Sequence, residues 1–266
     1  MAADPRAVLT RPAPPPDVTV AYGGHPDQIA DLRRPAPRPG PPRPLVIVIH
    51  GGFWRSEYDR SHTGPLAADL AARGYPVAQL EYRRTGTPGG GWPGTFDDVH
   101  AGVATLPELV TAAFPDVAAG GPPILLGHSA GGQLALHAAA TEPSRVGGVL
   151  ALAPVADLVE AYRLDLDGGA VAALLGGGPA EVPDRYAAAD PQSWVPMRTR
   201  TVIVHGVRDE QVPIRLSQAY VAANRAAGAE PTLIELPECE HFGLIDPTSI
   251  AWPTVTGALK SLHNDH

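Results

Sequence analysis

Short runs of apolar residues recur along the chain, and from residue 45 onward they alternate with segments whose apolar residues follow a helical period. Residues 45–49 form a continuous apolar run, which is typical of a strand buried on both faces of a sheet. Residues 18–22 and 28–32 alternate between apolar and polar side chains, as antiparallel edge strands do. Further strands are predicted at residues 76–82, 122–126, 148–152, 201–205 and 232–236.

Helical patterns fill most of the intervals after residue 49. They cover residues 65–73, 95–109, 132–140, 214–227 and 250–262. Repeated alternation of strands and helices along a chain indicates a parallel sheet with helices on both faces. The sequence therefore predicts an α/β fold in a single domain over residues 1–266, with a mostly parallel central sheet of about eight strands.

Two segments break this rhythm. Residues 1–17 are rich in proline and are predicted to form a loosely attached N-terminal arm. Residues 157–200 separate two strands by far more than the usual few residues and contain short helical patterns. We expect this second segment to act as a small cap over the carboxyl edge of the sheet, although ordinary crossover packing is the alternative.

The composition fits one large domain and excludes some classes of partner. Of the 266 residues, 44% are hydrophobic and 18% are charged, and the net charge is -8 with no basic stripe, so no nucleic-acid partner is expected. Residues 1–17 lack the regions of a signal peptide and no apolar run approaches ~18 residues, so we expect a cytoplasmic protein with no membrane partner. The single cysteine, Cys239, cannot form an internal disulfide and is expected to be a small buried residue.

The pentapeptide at residues 127–131, Gly-His-Ser-Ala-Gly, lies between a predicted strand and a predicted helix. In that context a Gly-x-Ser-x-Gly sequence predicts a nucleophile elbow, in which a tight turn exposes the serine at the end of a strand. The glycines are required because the turn leaves no room for side chains two residues on either side of the serine. Ser129 is therefore the candidate nucleophile.

A second glycine-rich turn, His50-Gly51-Gly52-Phe53-Trp54, follows the buried strand directly. Two glycines let the main chain pass close to the nucleophile and present backbone N–H groups to a developing oxyanion. Gly52 and Phe53 are the expected donors, together with Ala130, the residue after the nucleophile.

A catalytic triad also needs a carboxylate and a histidine downstream of the serine. Asp209 and His241 each follow a predicted strand, so both fall in loops at the edge where the elbow lies. That placement lets His241 take the Ser129 proton while Asp209 holds the other imidazole nitrogen. Asp157 remains open as the acid of a permuted triad, and no histidine pair has the spacing of a metal site, so no metal is expected.

The chain resembles the α/β-hydrolase superfamily from about residue 18 to residue 262. Its His-Gly-Gly-Phe-Trp and Gly-His-Ser-Ala-Gly motifs are similar to those of the kynurenine formamidase (arylformamidase) and small carboxylesterase branch. The resemblance implies an α/β-hydrolase fold that hydrolyses small acyl esters or N-formyl anilides through an acyl-serine, without a cofactor. It implies Ser129, Asp209 and His241 as the triad and Gly52, Phe53 and Ala130 as the oxyanion donors.

Side chains in the loops near the predicted active edge suggest the size of the substrate. A compact, mostly apolar pocket around Ser129 would suit short acyl chains or an aromatic leaving group. The expected partner is thus a small ester or amide, and the sequence leaves the oligomeric state open. The candidate pocket residues are Trp54, Tyr58, Trp92, His128, Trp194 and Phe242.

Two other classes of function remain as alternatives. A peptidase or a lactone-directed hydrolase shares the same fold and mechanism, because one fold supports many scissile bonds. A non-hydrolytic binding protein on this fold is the third possibility, but such proteins usually lack a member of the triad.

Overall fold

A computed structural model describes residues 4–118 and 120–263, and its centre is one eight-stranded sheet. The strand order is β1-β2-β4-β3-β5-β6-β7-β8. β1 and β2 pair antiparallel at one edge, and β2 also pairs antiparallel with β4, whereas the remaining pairs are parallel. The strands are β1 Val18–Ala21, β2 Ile29–Arg33, β3 Val46–Ile49, β4 Val77–Leu80, β5 Ile124–His128, β6 Gly148–Leu152, β7 Thr201–Gly206 and β8 Thr232–Leu236.

Helices connect the parallel strands and cover both faces of the sheet. Alternate residues of β3 show this, because Ile47 and Ile49 join one apolar cluster while Val46 and Val48 join the other. The sequence-based prediction of an α/β fold with a mostly parallel sheet of about eight strands is confirmed. The helices are α1 Gly64–Ala72, α2 Gly94–Ala113, α3 Ala130–Thr141, α4 Leu158–Arg163, α5 Ala170–Leu175, α6 Pro183–Ala189, α7 Arg215–Ala226 and α8 Trp252–Ser261.

The described part of the N-terminal arm differs from the loose attachment expected from its prolines. Residues Pro5–Thr10 form a 3₁₀ helix, and Val8 within it is fully buried against the rest of the domain. Arg11 then pairs with Asp246, with one of their two hydrogen bonds measuring 2.9 Å. Burial of one apolar side chain and a bidentate ion pair thus fix this segment, while residues 1–3 of the predicted arm lie outside the described residues.

The long interval between β6 and β7 contains α4, α5, α6 and a 3₁₀ helix at Pro191–Trp194. Its apolar side chains, Leu158 and Leu174 among them, belong to the buried cluster that contains Ile47 and Ile49 on one face of the sheet. The segment is therefore packed as part of the domain, and one loop of it, at Asp167, reaches the candidate site described below. No helix in residues 4–118 or 120–263 has the length and apolar character needed to cross a membrane.

Candidate active site

Ser129 stands in the turn between β5 and α3, with φ 56° and ψ -119°, a backbone conformation that serine rarely adopts. The turn is tight enough to require its flanking glycines. A Cβ atom at Gly127 would lie 2.2 Å from the Gly131 carbonyl oxygen, and one at Gly131 would lie 2.1 Å from the Ile49 carbonyl oxygen. Both distances are far below van der Waals contact, so the strand-turn-helix geometry predicted from the pentapeptide is present.

Asp209 and His241 meet at the carboxyl edge of the sheet, in the loops after β7 and β8. The Nδ1–H group of His241 donates to Oδ2 of Asp209 over 2.6 Å. The other carboxylate oxygen accepts backbone N–H groups from Gln211, at 2.9 Å, and Val212, at 2.8 Å. Both oxygens of the Asp209 carboxylate are therefore hydrogen-bonded. Because Asp209 binds Nδ1 of His241, the Nε2 atom of that histidine remains available to other groups.

The charge of Asp209 is stabilised although the residue is buried. Burial by itself raises the pKa of a carboxyl group, but hydrogen bonds from His205, His241 and the Val212 backbone outweigh it. The Asp209 pKa consequently lies well below its usual range, and the group is a carboxylate at neutral pH. His205 contributes from β7, where its Nε2 atom lies 3.4 Å from Oδ2 of Asp209.

Ser129 and His241 line the same small cavity and are both nearly inaccessible to solvent, with 2% and 4% of their surface exposed. Within the part of the chain that the structure describes, Ser129 Oγ makes no hydrogen bond. A long or unformed bond between nucleophile and base is common in enzymes that hold no substrate. The arrangement thus brings Ser129 and His241 to one cavity, and Asp209 contacts that cavity only through its hydrogen bond to His241.

The loop after β3 lies directly beside Ser129, the candidate nucleophile. A Cβ atom at Gly51 would sit 3.0 Å from the Ser129 Cβ atom, so only glycine permits this approach. Gly52 and Phe53 have positive φ angles of 106° and 48°, which turn the main chain toward the cavity that both residues line. The backbone N–H groups of Gly52, Phe53 and Ala130 donate to no acceptor among the described residues, as an oxyanion site requires.

The cavity has a volume of about 160 Å³. Pockets for drug-sized ligands usually measure ~300–1,000 Å³, so this one suits a small group. Three of the residues expected from the sequence to form the pocket, Tyr58, His128 and Phe242, line it. Tyr58 also packs against Gly52, where a Cβ atom would lie 2.4 Å from that of the tyrosine.

The three tryptophans expected in the pocket lie elsewhere. Trp54 is fully buried and its indole N–H donates to Gln133 Oε1 over 3.1 Å, so it closes the core beneath the loop. Trp92 packs on Phe96 at a ring distance of 5.0 Å. Trp194 is 39% exposed and donates to the Ala188 carbonyl oxygen over 2.9 Å. Sequence reasoning placed all three in loops but could not give the direction of their side chains.

Five lining residues were not expected from the sequence. Arg6 and Leu9 come from the N-terminal 3₁₀ helix, which the proline pattern had suggested was loose. His62 lies in the short 3₁₀ helix Arg60–Thr63, and Asp167 lies in a turn. Gln211 lies two residues after Asp209, and this proximity is the one sequence signal that could have indicated it. The remaining lining residues are therefore Arg6, Leu9, His62, Asp167 and Gln211.

Two histidines of the cavity are neutral. Burial, reinforced by the nearby His241, holds the pKa of His128 well below its usual value, and burial lowers the pKa of His62 to about 4. His128 Nε2 donates to the His241 carbonyl oxygen over 3.1 Å, which fixes the backbone at His241. Neither imidazole therefore adds positive charge beside Ser129 at neutral pH.

The alternative acid and the cysteine have other roles. Asp157 caps α4 by accepting the Glu160 N–H group over 2.7 Å. Cys239 is buried, and its burial, helped by nearby Glu240, raises the pKa of the thiol to about 12, so it carries no thiolate. Among the described residues, no cluster of three or more His, Cys, Asp or Glu side chains is arranged to hold a metal ion.

Comparison with known proteins places these features in a family context. The model of the family described as BD-FAE matches residues 30–223. The esterase LipQ of Mycobacterium tuberculosis is 29% identical over 244 residues, which cover 85% of this chain and 56% of LipQ. The chain thus spans just over half the length of that curated relative.

Solved structures show the same fold. Esterase B from Lactobacillus rhamnosis, in a structure described as inhibited by a tributyrin phosphonate, superposes with a TM-score of 0.74 at 22% identity, covering 98% of this chain and 90% of that one. A truncated carbohydrate esterase from gut microbiota gives a TM-score of 0.74 at 19% identity, covering 92% and 96%. These similarities extend over nearly the whole described domain.

Proposed function

The chain belongs to the BD-FAE family, and from that membership and the geometry at Ser129 we propose that it is a serine hydrolase of small carboxylic esters. The observation that carries the proposal is that His241 lines the same cavity as Ser129 on its strained turn and donates a 2.6 Å hydrogen bond to Asp209. Nucleophile, base and orienting acid are the groups that acyl transfer through an acyl-serine needs.

In the proposed reaction, Ser129 Oγ attacks the ester carbonyl carbon while His241 Nε2 takes the hydroxyl proton. His241 then gives this proton to the departing alcohol, and a water molecule activated by the same imidazole releases the acid. Asp209 keeps the Nδ1 proton on His241 and so leaves Nε2 unprotonated and ready as a base. The Asp209 carboxylate also stabilises the imidazolium that forms in between.

The free backbone N–H groups of Gly52, Phe53 and Ala130 are the proposed donors to the tetrahedral oxyanion. Because they have no partner in the described residues, they need not break an existing bond when negative charge develops on the substrate oxygen. Phe53 is held at a positive φ, so its N–H direction is set before substrate arrives.

Short acyl esters are the proposed substrate class. The cavity of about 160 Å³ favours a small acyl group, and the structural neighbour esterase B is described with a tributyrin phosphonate inhibitor. LipQ, the relative reported above, is named as an esterase. Aryl formamides are the second proposed class, because a formyl group is the smallest acyl group that the cavity admits and the sequence resembles arylformamidases.

Active-site labelling combined with a substrate panel tests this proposal. A fluorophosphonate probe should label Ser129 alone, and p-nitrophenyl acetate should be turned over by the native chain and slowed about 10⁵-fold by Ser129→Ala. An N-formylkynurenine assay and an acetylated sugar assay run beside it separate formamide and carbohydrate esters from simple esters. Retention of a tenth or more of the activity in Ser129→Ala would refute the serine mechanism.

A further inference from the structure

The N-terminal 3₁₀ helix Pro5–Thr10 forms one wall of the cavity that contains Ser129. Arg6 and Leu9 line the cavity, while Val8 between them is fully buried and anchors the helix. Asp4 accepts the Arg6 N–H group over 2.9 Å, and the Arg11–Asp246 ion pair secures the other end. The wall is therefore a fixed part of the site, although it lies more than 100 residues from Ser129 in sequence.

Arg6 is a cationic side chain in the wall of this cavity. Its guanidinium carbon lies 5.6 Å from the centre of the Phe242 ring, and the side chain pairs with no acidic group among the described residues. The acidic residues nearby are already occupied. Asp167 pairs with Arg55 at 2.5 Å, and Asp209 pairs with His241.

A free guanidinium at a small cavity contrasts with the rest of this acidic chain, whose net charge is -8. A neutral ester gains nothing from it, whereas a carboxylate accepts two parallel N–H groups from a guanidinium in a bidentate, charge-assisted pair. The stacking of Arg6 on Phe242 limits the rotamers of the guanidinium, so less conformational entropy is lost when an anion binds.

We propose that Arg6 is a specificity-determining residue that selects small esters bearing a carboxylate group. The inference rests on the proposed function and narrows its substrate class. The carboxylate belongs either to the acyl part or to the leaving group, and both arrangements bring the same anion to Arg6.

Two matched pairs of substrates test the two arrangements. Monomethyl succinate and methyl levulinate differ in the acyl part by a carboxylate against a methyl ketone. 4-Acetoxybenzoate and 4-acetoxybenzamide differ in the leaving group by a carboxylate against a neutral amide. For the native chain we expect kcat/KM to be about tenfold higher for the anionic member of at least one pair, mainly because its KM is lower. This preference should decrease at high salt, because screening weakens the contact between the carboxylate and Arg6.

Three variants separate a local effect of Arg6 from a general effect of charge. Arg6→Gln should abolish the preference by lowering kcat/KM for the anionic substrate far more than for its neutral partner, whereas Arg6→Lys should retain part of the preference. Arg198→Gln is the matched control, because Arg198 is exposed and lies outside the cavity yet its loss changes the net charge equally. An unaltered preference in Arg6→Gln, an equal loss in Arg198→Gln, or no preference in the native chain would overturn the inference.

Binding measurements keep this inference apart from the proposed catalysis. If no ester of the panel is hydrolysed, the proposed function fails. Calorimetric titration of Ser129→Ala with 4-acetoxybenzoate and 4-acetoxybenzamide still decides the role of Arg6. Tighter binding of the carboxylate that disappears in the Ser129→Ala, Arg6→Gln double variant supports the inference, and equal affinity for the two compounds refutes it.

Discussion

His241 donates its Nδ1–H group to Oδ2 of Asp209 over 2.6 Å, across the loops that follow two neighbouring strands, β7 and β8. Parallel pairing makes this contact possible, because both strands deliver their carboxyl ends to the same edge of the sheet. His205 supports the contact from within β7, where its own side chain is fixed to Ser217 Oγ at 2.8 Å and to the Val212 carbonyl oxygen at 2.9 Å. Asp209 is thus positioned by strand geometry, by its backbone donors and by a second histidine.

Asp209→Asn should lower kcat by about 10⁴-fold, since the amide can donate to Nδ1 and stabilise the wrong imidazole tautomer. Asp157→Asn is the matched control, because that carboxylate only caps α4 and an asparagine caps nearly as well. Steady-state hydrolysis of p-nitrophenyl acetate measures both. A large loss in Asp157→Asn with little loss in Asp209→Asn would transfer the role of the acid to Asp157.

Gly51→Ala should lower kcat by about 100-fold, because its Cβ atom would lie 2.9 Å from the His128 carbonyl oxygen and 3.0 Å from the Ser129 Cβ atom. Displacement of a nucleophile by a fraction of an ångström to an ångström has effects of this order. Gly257→Ala is the control, since no atom lies within 4 Å of its Cβ position in α8. That variant should keep full activity and gain roughly 0.5–1 kcal/mol in the free energy of unfolding.

The sequence predicts those parts of the site that depend on local backbone constraints. Gly127 and Gly131 identified the elbow because a side chain at either position would collide with main-chain atoms of the turn or of β3. Asp209 and His241 could be predicted as site residues because the carboxyl ends of the strands in a parallel sheet lie at one edge. The sequence alone left Asp157 open as the acid, and the 2.6 Å contact between Asp209 and His241 is the observation that supports Asp209.

The rest of the site could not be predicted because it depends on side-chain direction and on contacts distant in sequence. Trp54 follows the glycine turn, but its φ of 57° turns the indole into the core, toward Gln133. Arg6 reaches the cavity only because Val8, the single buried side chain of a short 3₁₀ helix, docks against the domain. A proline-rich segment with one apolar anchor has no periodicity from which docking can be predicted.

Trp54→Phe should destabilise the fold while leaving KM unchanged. The substitution removes the indole donor from buried Gln133 and leaves space in the core, for which we expect a loss of about 2–4 kcal/mol in the free energy of unfolding. Phe242→Leu, in the cavity wall, should do the reverse and raise KM with a small effect on stability. Urea unfolding and substrate saturation curves of the two variants check this contrast. A raised KM in Trp54→Phe would show that Trp54 contributes to substrate binding after all.

His137 should make the folded state sensitive to acid. Burial, with the nearby His100, lowers the pKa of His137 to about 4, whereas an unfolded histidine has a pKa of ~6.5. Between these values the unfolded state binds more protons, so stability falls as the pH is lowered through this window. Relative to His137→Gln, the native chain should lose up to about 3 kcal/mol between pH 6.5 and 4, in unfolding curves at both pH values. If the free energy of unfolding changed equally with pH in the two proteins, His137 would not contribute to the acid sensitivity.

The length of the acyl chain should limit turnover sharply. Each methylene that fits an apolar pocket contributes roughly 0.8 kcal/mol, and one that clashes costs more than it gains. A cavity of about 160 Å³ between Tyr58, Phe242 and Leu9 has room for only a few carbons beside the attacked carbonyl. We therefore expect kcat/KM for p-nitrophenyl esters to peak between formyl and butyryl and to fall steeply by octanoyl.

The substitution Leu9→Ala shortens a side chain in the cavity wall supplied by the N-terminal 3₁₀ helix, so it should shift the peak toward longer acyl chains. Val159→Ala is the control, because Val159 is exposed and lies outside the cavity, and this variant should leave the peak in place. A profile in the native chain that kept rising to octanoyl would mean that the cavity opens into a longer channel, and the small-acyl assignment would then be lost.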